Sequence, residues 1–180
     1  MTSSSPTLSP ASLSPANHPP RAIATAILAL DLGQNTGWAL RQSNSLIISG
    51  THGFKPGRFE GGGMPLLRFA GWLHELHSTA GPLGIVFFEE VRAHKGTAAA
   101  HTYGAFLGQL SAWCEAHGVA YQGVPVGTIK KHATGKGNAG KEDVIAAVRA
   151  RGFQPADDNE ADALALLDWA LNDHLIGEKP

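Results

Sequence analysis

Apolar residues along this chain come in short runs, each closed by a charged residue or a glycine-rich turn. Ala22–Asp31 (AIATAILALD) is apolar and ends on an acid, too short for a comfortable globular helix, and reads as a buried strand. Leu32–Gly37 (LGQNTG) is a turn cluster. Trp38–Leu40 and Leu46–Ser49 with Thr51 then read as the next two strands of a meander, and Phe54–Gly63 (FKPGRFEGGG) as a glycine-rich loop carrying Lys55 and Arg58. Pro65–His77 has its apolar residues near helical spacing. Gly84–Glu89 (GIVFFE) is a second buried strand ending in an acid. Ala98–Ala116 is a helix with Tyr103, Phe106, Leu107, Leu110, Trp113 and Cys114 on one face, Val119–Gly123 a short fifth strand, and Gly140–Ala150 and Glu160–Leu171 two further helices. Three meander strands followed by β–α crossovers predict an α/β protein with one five-stranded mixed sheet flanked by helices.

Composition changes this picture at the ends. The first twenty residues hold six Ser, five Pro and no charged side chain. Such a segment cannot bury enough apolar surface to offset its ordering entropy. The expected organisation is a disordered tail over 1–21, a single folded domain over 22–174 and a short tail over 175–180. One cysteine among 180 residues excludes an internal disulfide and a Cys-based zinc finger, and a reducing cytoplasm is the natural setting. No apolar run reaches the roughly 20 residues needed to cross a bilayer, so no membrane partner is expected. With 14 Lys+Arg against 15 Asp+Glu, no global basic field announces a nucleic acid, and charge has to be read locally.

Read locally, the acids stand out. Asp31 ends the first strand and Glu89 the fourth, while Asp158 and Asp162 lie four apart at the start of the last helix and share a face. Each has an ordinary structural explanation: Asp31 as a turn cap, Asp158 as a helix N-cap, Glu160 and Asp162 as complements of the helix dipole. Together they are harder to explain that way, because ionised acids ending apolar strands are costly and repel one another unless protonated or bridged by a cation. Oxygen ligands without Cys or an obligatory His favour Mg²⁺ or Mn²⁺ over zinc. Two such ions about 4 Å apart are a known arrangement for in-line phosphodiester cleavage.

The basic residues gather in Thr128–Lys141 (TIKKHATGKGNAGK), a glycine-containing segment with Lys130, Lys131, Lys136 and Lys141 and no acid. Small residues let backbone approach a phosphate and Lys neutralises it, the alternative being a solvated lysine loop. Gly135-x-x-x-x-Gly140-Lys141 matches most of a Walker A loop, but Glu142 stands where Ser or Thr is needed and no buried strand precedes it.

With these pieces in place, the chain resembles the RuvC family of Holliday-junction resolvases, within the ribonuclease H-like superfamily, over about Ala26 to Leu171. ILALDLGQNTGWAL resembles the family's first strand and turn, IVFFEEV its strand ending in a glutamate, TIKKHATGKGNAGKEDVIAAV its lysine-glycine segment and following helix, and EADALALLDWAL its closing helix. The resemblance implies a ribonuclease H-like sheet and a Mg²⁺-dependent (alternatively Mn²⁺-dependent) endodeoxyribonuclease. Its implied substrate is branched DNA, the four-way junction of recombination and repair. Symmetric incision of a junction implies a homodimer. Asp31, Glu89 (rather than Glu90) and Asp162 correspond to metal-bridging acids, and Lys130, Lys131, Lys136 and Lys141 to the phosphate-contacting region.

Two departures stand out. The family's usual acid or His three residues before the last Asp is Asn159 here, with Asp158 one step earlier. Both share the face of Asp162, and Asp158 is favoured as fourth ligand for its charge. The aromatic residue often found three after the glutamate is replaced by Arg92, a further candidate DNA contact, followed by His94 and Lys95. That difference fits a phage or prophage branch. Two other functions compete. Asp31-Leu32-Gly33 with Thr36-Gly37 also resembles the phosphate loop of actin-like and sugar kinases, which need a second such domain. Asn159 also suits a junction-binding protein impaired in catalysis. His74 and His77 do not make a zinc motif, Trp38, Trp72, Trp113 and Trp169 read as structural, and Cys114 as an inert buried thiol.

Overall fold

The computed structural model describes residues 25–92 and 96–174. The tails expected over 1–21 and 175–180, the first residues of the Ala22–Asp31 run, and His94 and Lys95 lie outside the described residues. The strands are β1 (Ala26–Asp31), β2 (Asn35–Arg41), β3 (Ile47–Gly53), β4 (Leu83–Glu90) and β5 (Ala120–Pro125). The helices are α1 (Met64–Thr79), α2 (Thr97–His117), α3 (Val126–Thr134), α4 (Lys141–Ala150) and α5 (Asp158–Trp169), the last continued by a π-helical turn over Ala170–His174.

The sheet order is β3-β2-β1-β4-β5. β1, β2 and β3 form the antiparallel meander, and β4 and β5 run parallel to β1. The period of two along each strand sorts side chains between two helical layers. Leu28, Leu30, Val86 and Phe88 pack with Phe69, Trp72, Leu73, Phe106 and Leu110 of α1 and α2. Ile27, Ala29, Phe87 and Val124 pack on the other face with Ile129, Val144, Val148, Leu164 and Leu167 of α3, α4 and α5. Trp72, Trp113 and Cys114 are buried in the first of these cores, and burial pushes the Cys114 thiol up to about 12, Glu115 adding to the shift.

Two expectations are corrected. The turn cluster is shorter than Leu32–Gly37, because β2 already begins at Asn35, with Thr36 opposite His52 and Gly37 opposite Asp31. The buried Thr36 closes the turn with its side chain, its hydroxyl donating to Gly33 O at 2.7 Å. The first half of the basic segment is not a loop but α3. Ile129 and Ala133, four apart, are its buried stripe, and Gly135 ends it in the left-handed region at φ 80°.

Candidate metal centre

Strand parity brings the first two acids together. Asp31 follows Ile27 and Ala29 on alternate positions of β1, and Glu89 follows Ile85 and Phe87 on β4, so both carboxylates emerge on the face covered by α5. Helix α5 then descends on that face because one glycine lets it. Gly37 pairs with Asp31 across β1 and β2, and a Cβ on Gly37 would stand 1.9 Å from Asn159 O. The backbone of α5 therefore rests on the strand residue beside Asp31, and Asp162, one turn further along, reaches the same point. Oxygens of Asp31, Glu89 and Asp162 lie within 4.8 Å of one another, forming the one such three-acid group among the described residues.

The cluster is electrostatically unfinished. Burial, then the neighbouring Asp162 and Asp158, pushes the Asp31 carboxyl up to about 7, against a weaker downward pull from Lys141. Burial, then Asp31 and Asp162, pushes Glu89 up to about 8, partly opposed by Lys130. Asp162 is also raised, by burial first, with Lys130 pulling it down. Carboxylates this close cannot all ionise without a compensating charge. Three convergent oxygen donors with no sulfur or imidazole are a set that suits a hard dication, so the residues present fit Mg²⁺ or Mn²⁺.

Neighbouring polar groups fix the frame. Tyr103, on the apolar face of α2, donates its hydroxyl to Glu89 O at 2.9 Å and holds the end of β4. The N-cap of α5 is Asp157, not Asp158: its carboxylate accepts from Glu160 N at 2.9 Å and from the Thr51 hydroxyl at 2.7 Å. Glu160, buried, accepts from Ser49 Oγ at 2.7 Å and Ala156 N at 2.8 Å, tying α5 to β3. The sequence carried the signal for this in Asp157-x-x-Glu160, an acidic relative of the capping box.

Freed from capping, Asp158 lies at the margin of the cluster. It is hydrogen-bonded by the Lys141 ammonium, which holds its carboxyl below the usual range. Asn159 sits against Gly37 through its backbone.

The basic residues divide. Lys130, half-buried on α3, donates to Ala139 O at 2.8 Å and stands close enough to act on both Asp162 and Glu89. Lys141, exposed at the first position of α4, acts on Asp158. Lys131 and Lys136 are exposed, Lys131 lining an open cavity of about 700 Å³ with Pro125, Gly127, Thr128 and His132. Arg92 lies beyond the end of β4 and is paired with Glu90 at 3.4 Å, both exposed.

No protein-family model and no curated protein sequence matches the chain. Solved structures do. The Thermus thermophilus RuvC structure aligns at 23% identity and TM-score 0.67 over 85% of this chain and 97% of that one. T. thermophilus RuvC in complex with Holliday junction substrate aligns at 23% and 0.65 over 79% and 90%. The yeast mitochondrial Holliday junction resolvase Ydc2 aligns at 12% and 0.56 over 79% and 76%. The fold is therefore the ribonuclease H-like fold of RuvC.

Proposed function

We propose that the chain is a divalent-metal-dependent endodeoxyribonuclease that cuts branched DNA, with the four-way junction as substrate. The observation that carries the reading is the convergence of Asp31, Glu89 and Asp162 on one point at the sheet edge, inside a fold shared with junction resolvases. Among the described residues no helix is long and apolar enough to cross a membrane. When bound, Mg²⁺ or Mn²⁺ supplies the charge that activates water and stabilises the leaving oxygen of the scissile phosphodiester. The chain's part is to hold three carboxylate oxygens in place before the ion arrives, which Gly37, Tyr103 and the Asp157 cap accomplish. Asp158 is the fourth ligand, exchanging its Lys141 partner for the ion. Lys130, Lys131, Lys136, Lys141 and Arg92 contact the DNA backbone and set register without reading sequence. Paired incision of a symmetric junction needs two such sites, so the working unit is a homodimer.

The test is cleavage of labelled four-way junction, flap and linear duplex in Mg²⁺, Mn²⁺ or EDTA. Junction-selective cutting that requires the metal is expected. Cutting that persists in EDTA, or no preference for branched over linear DNA, defeats the reading. A junction-binding protein without catalysis would bind the junction and cut none of the three.

A further inference from the structure

The loop between β3 and α1 is built to display two side chains that contribute nothing to the core. Its root is fixed where Phe54 N donates to Gln34 O at 2.7 Å, beside the β1–β2 turn. Glu60 N donates to Gly57 O at 3.1 Å, making a β-turn whose central residues are Arg58 and Phe59. The turn is braced from below. Glu60 accepts from Gly57 N at 2.6 Å and from the Arg68 guanidinium, and Arg68 also donates to Lys55 O at 3.3 Å. At the tip, Phe59 is 93% exposed, the most exposed large apolar side chain among the described residues, with the Arg58 guanidinium 5.4 Å from its ring centre. A phenylalanine held in water by a braced turn has no folding purpose, since it buries nothing.

Topology puts this tip at the acid edge. β3 ends opposite the start of β2, so the loop leaves the sheet at the end where β1 and β4 deliver Asp31 and Glu89. β3 is the second strand from β1, so the loop root is about 10 Å across the sheet from the first acid. Two adjoining open grooves, which share Gln34 and Thr102, lie between the β1–β2 turn and this loop on the α2 side of the sheet. One runs past Gly33, Val91 and Tyr103, the other past Pro56, Gly62 and His101. Within 55–68 the chain carries Lys55, Arg58 and Arg68 against Glu60 alone, in a protein whose net charge is −1. An exposed aromatic next to cations matches a nucleic-acid strand: a base for the ring, a phosphate for the guanidinium.

We propose that the Gly57–Glu60 turn is a base-stacking probe, in which Phe59 stacks on a nucleobase unpaired at the branch point of the DNA while Arg58 contacts the adjacent phosphate. Glu60 and Arg68 are positioning residues that hold the turn. The inference rests on the nuclease reading above and extends it to how branched DNA is told from duplex.

The experiment measures binding, without cleavage, in EDTA. The ligands are a four-way junction with 2-aminopurine at the branch point and a linear duplex of the same sequence. Phe59→Ala should weaken junction binding roughly tenfold, remove the 2-aminopurine response and leave duplex binding and the melting temperature unchanged. Phe59→Trp should keep the response. Arg68→Ala, read against its own melting curve, should reproduce most of the Phe59→Ala loss. Equal junction binding by wild type and Phe59→Ala, or equal losses on junction and duplex, overturns the probe while leaving the nuclease reading intact. Loss of self-association on Phe59→Ala, with junction binding unchanged, assigns the ring to a protein contact and overturns it too. A wild type that binds junction and duplex equally overturns the probe as well, while the nuclease reading stands or falls on the cleavage assay.

Discussion

Helix α5 carries Asp162 and Asp168, six residues and about 9 Å apart along one axis, in opposite circumstances. Asp168 is fully partnered. One of its oxygens is ion-paired with Arg151 Nε at 2.9 Å and accepts from His132 Nε2 at 2.7 Å, and the other accepts from Asn172 Nδ2 at 3.0 Å. Through Arg151, which also donates to Ala133 O and Ala147 O at 3.1 Å, this knot ties α3, α4 and α5 together. Asp162 faces two other carboxylates, with one lysine at hand on α3. The same side chain on the same helix thus closes the structure at one end and leaves it short of positive charge at the other. An acid that stabilises the fold gathers donors around it. An acid kept for a cation is held among other acids by the elements that carry it rather than by donors of its own.

The sharpest way to break the comparison is to neutralise each end. Asp31→Asn, Glu89→Gln and Asp162→Asn should each reduce junction cleavage to background while retaining junction binding, with a melting temperature at pH 8 unchanged or higher, since like-charge repulsion is relieved. Asp168→Asn should do the reverse, lowering the melting temperature by several degrees and sparing cleavage measured in the cold. Near wild-type cleavage by any of the first three removes that residue from the centre.

A second variant attacks the geometry. In Gly37→Ala the new methyl would meet Asn159 O at 1.9 Å, so α5 must back away from β2. Stability and Mn²⁺ affinity should fall together, whereas a wild-type Mn²⁺ affinity would show that the acids converge without this contact.

Proton linkage distinguishes the two ends more gently. Asp31 is raised from 3.8 to about 7 and Glu89 from 4.5 to about 8. Between about pH 4 and pH 8 the folded chain then keeps protons that the unfolded chain has released, so these groups make metal-free stability fall as pH rises through that window. Melting curves in EDTA should show the decline for wild type and a flatter profile for Glu89→Gln. Identical profiles would contradict the shift. Smallest of all should be the difference between neighbours on α5. Asp158→Ala should cost more cleavage than Asn159→Ala and be partly rescued by raised Mn²⁺, with little change in melting because Asp157, not Asp158, caps the helix. The opposite ranking would make Asn159 the fourth ligand.

Much of this was legible in the sequence where periodicity is simple. The short apolar runs AILALD and GIVFFEE mark the two acid-ending strands, while the choice of Glu89 over Glu90 comes from the resemblance to the family's Glu-x-Val; strand parity is what puts Glu89 beside Asp31. The helical spacing of Asp158 and Asp162 was equally readable. Helix α3 was not, because Lys130, Lys131 and His132 mask a buried stripe of only Ile129 and Ala133. The N-cap was read one residue late, since adjacent aspartates satisfy the same preference and only the bond to Glu160 N separates them. Pairings between distant segments, Lys141 with Asp158 or His132 and Arg151 with Asp168, leave no local pattern, and the role of Gly37 appears only once α5 lies on it.

A calorimetric titration of Mn²⁺ into wild type and Asp162→Asn at pH 7.5, without DNA, puts the cation site itself to the test. Binding by wild type, accompanied by a rise in melting temperature and lost in Asp162→Asn, is the expected result. Equal binding by both proteins, or none by wild type under conditions where it cuts junctions, would contradict a metal centre built from Asp31, Glu89 and Asp162.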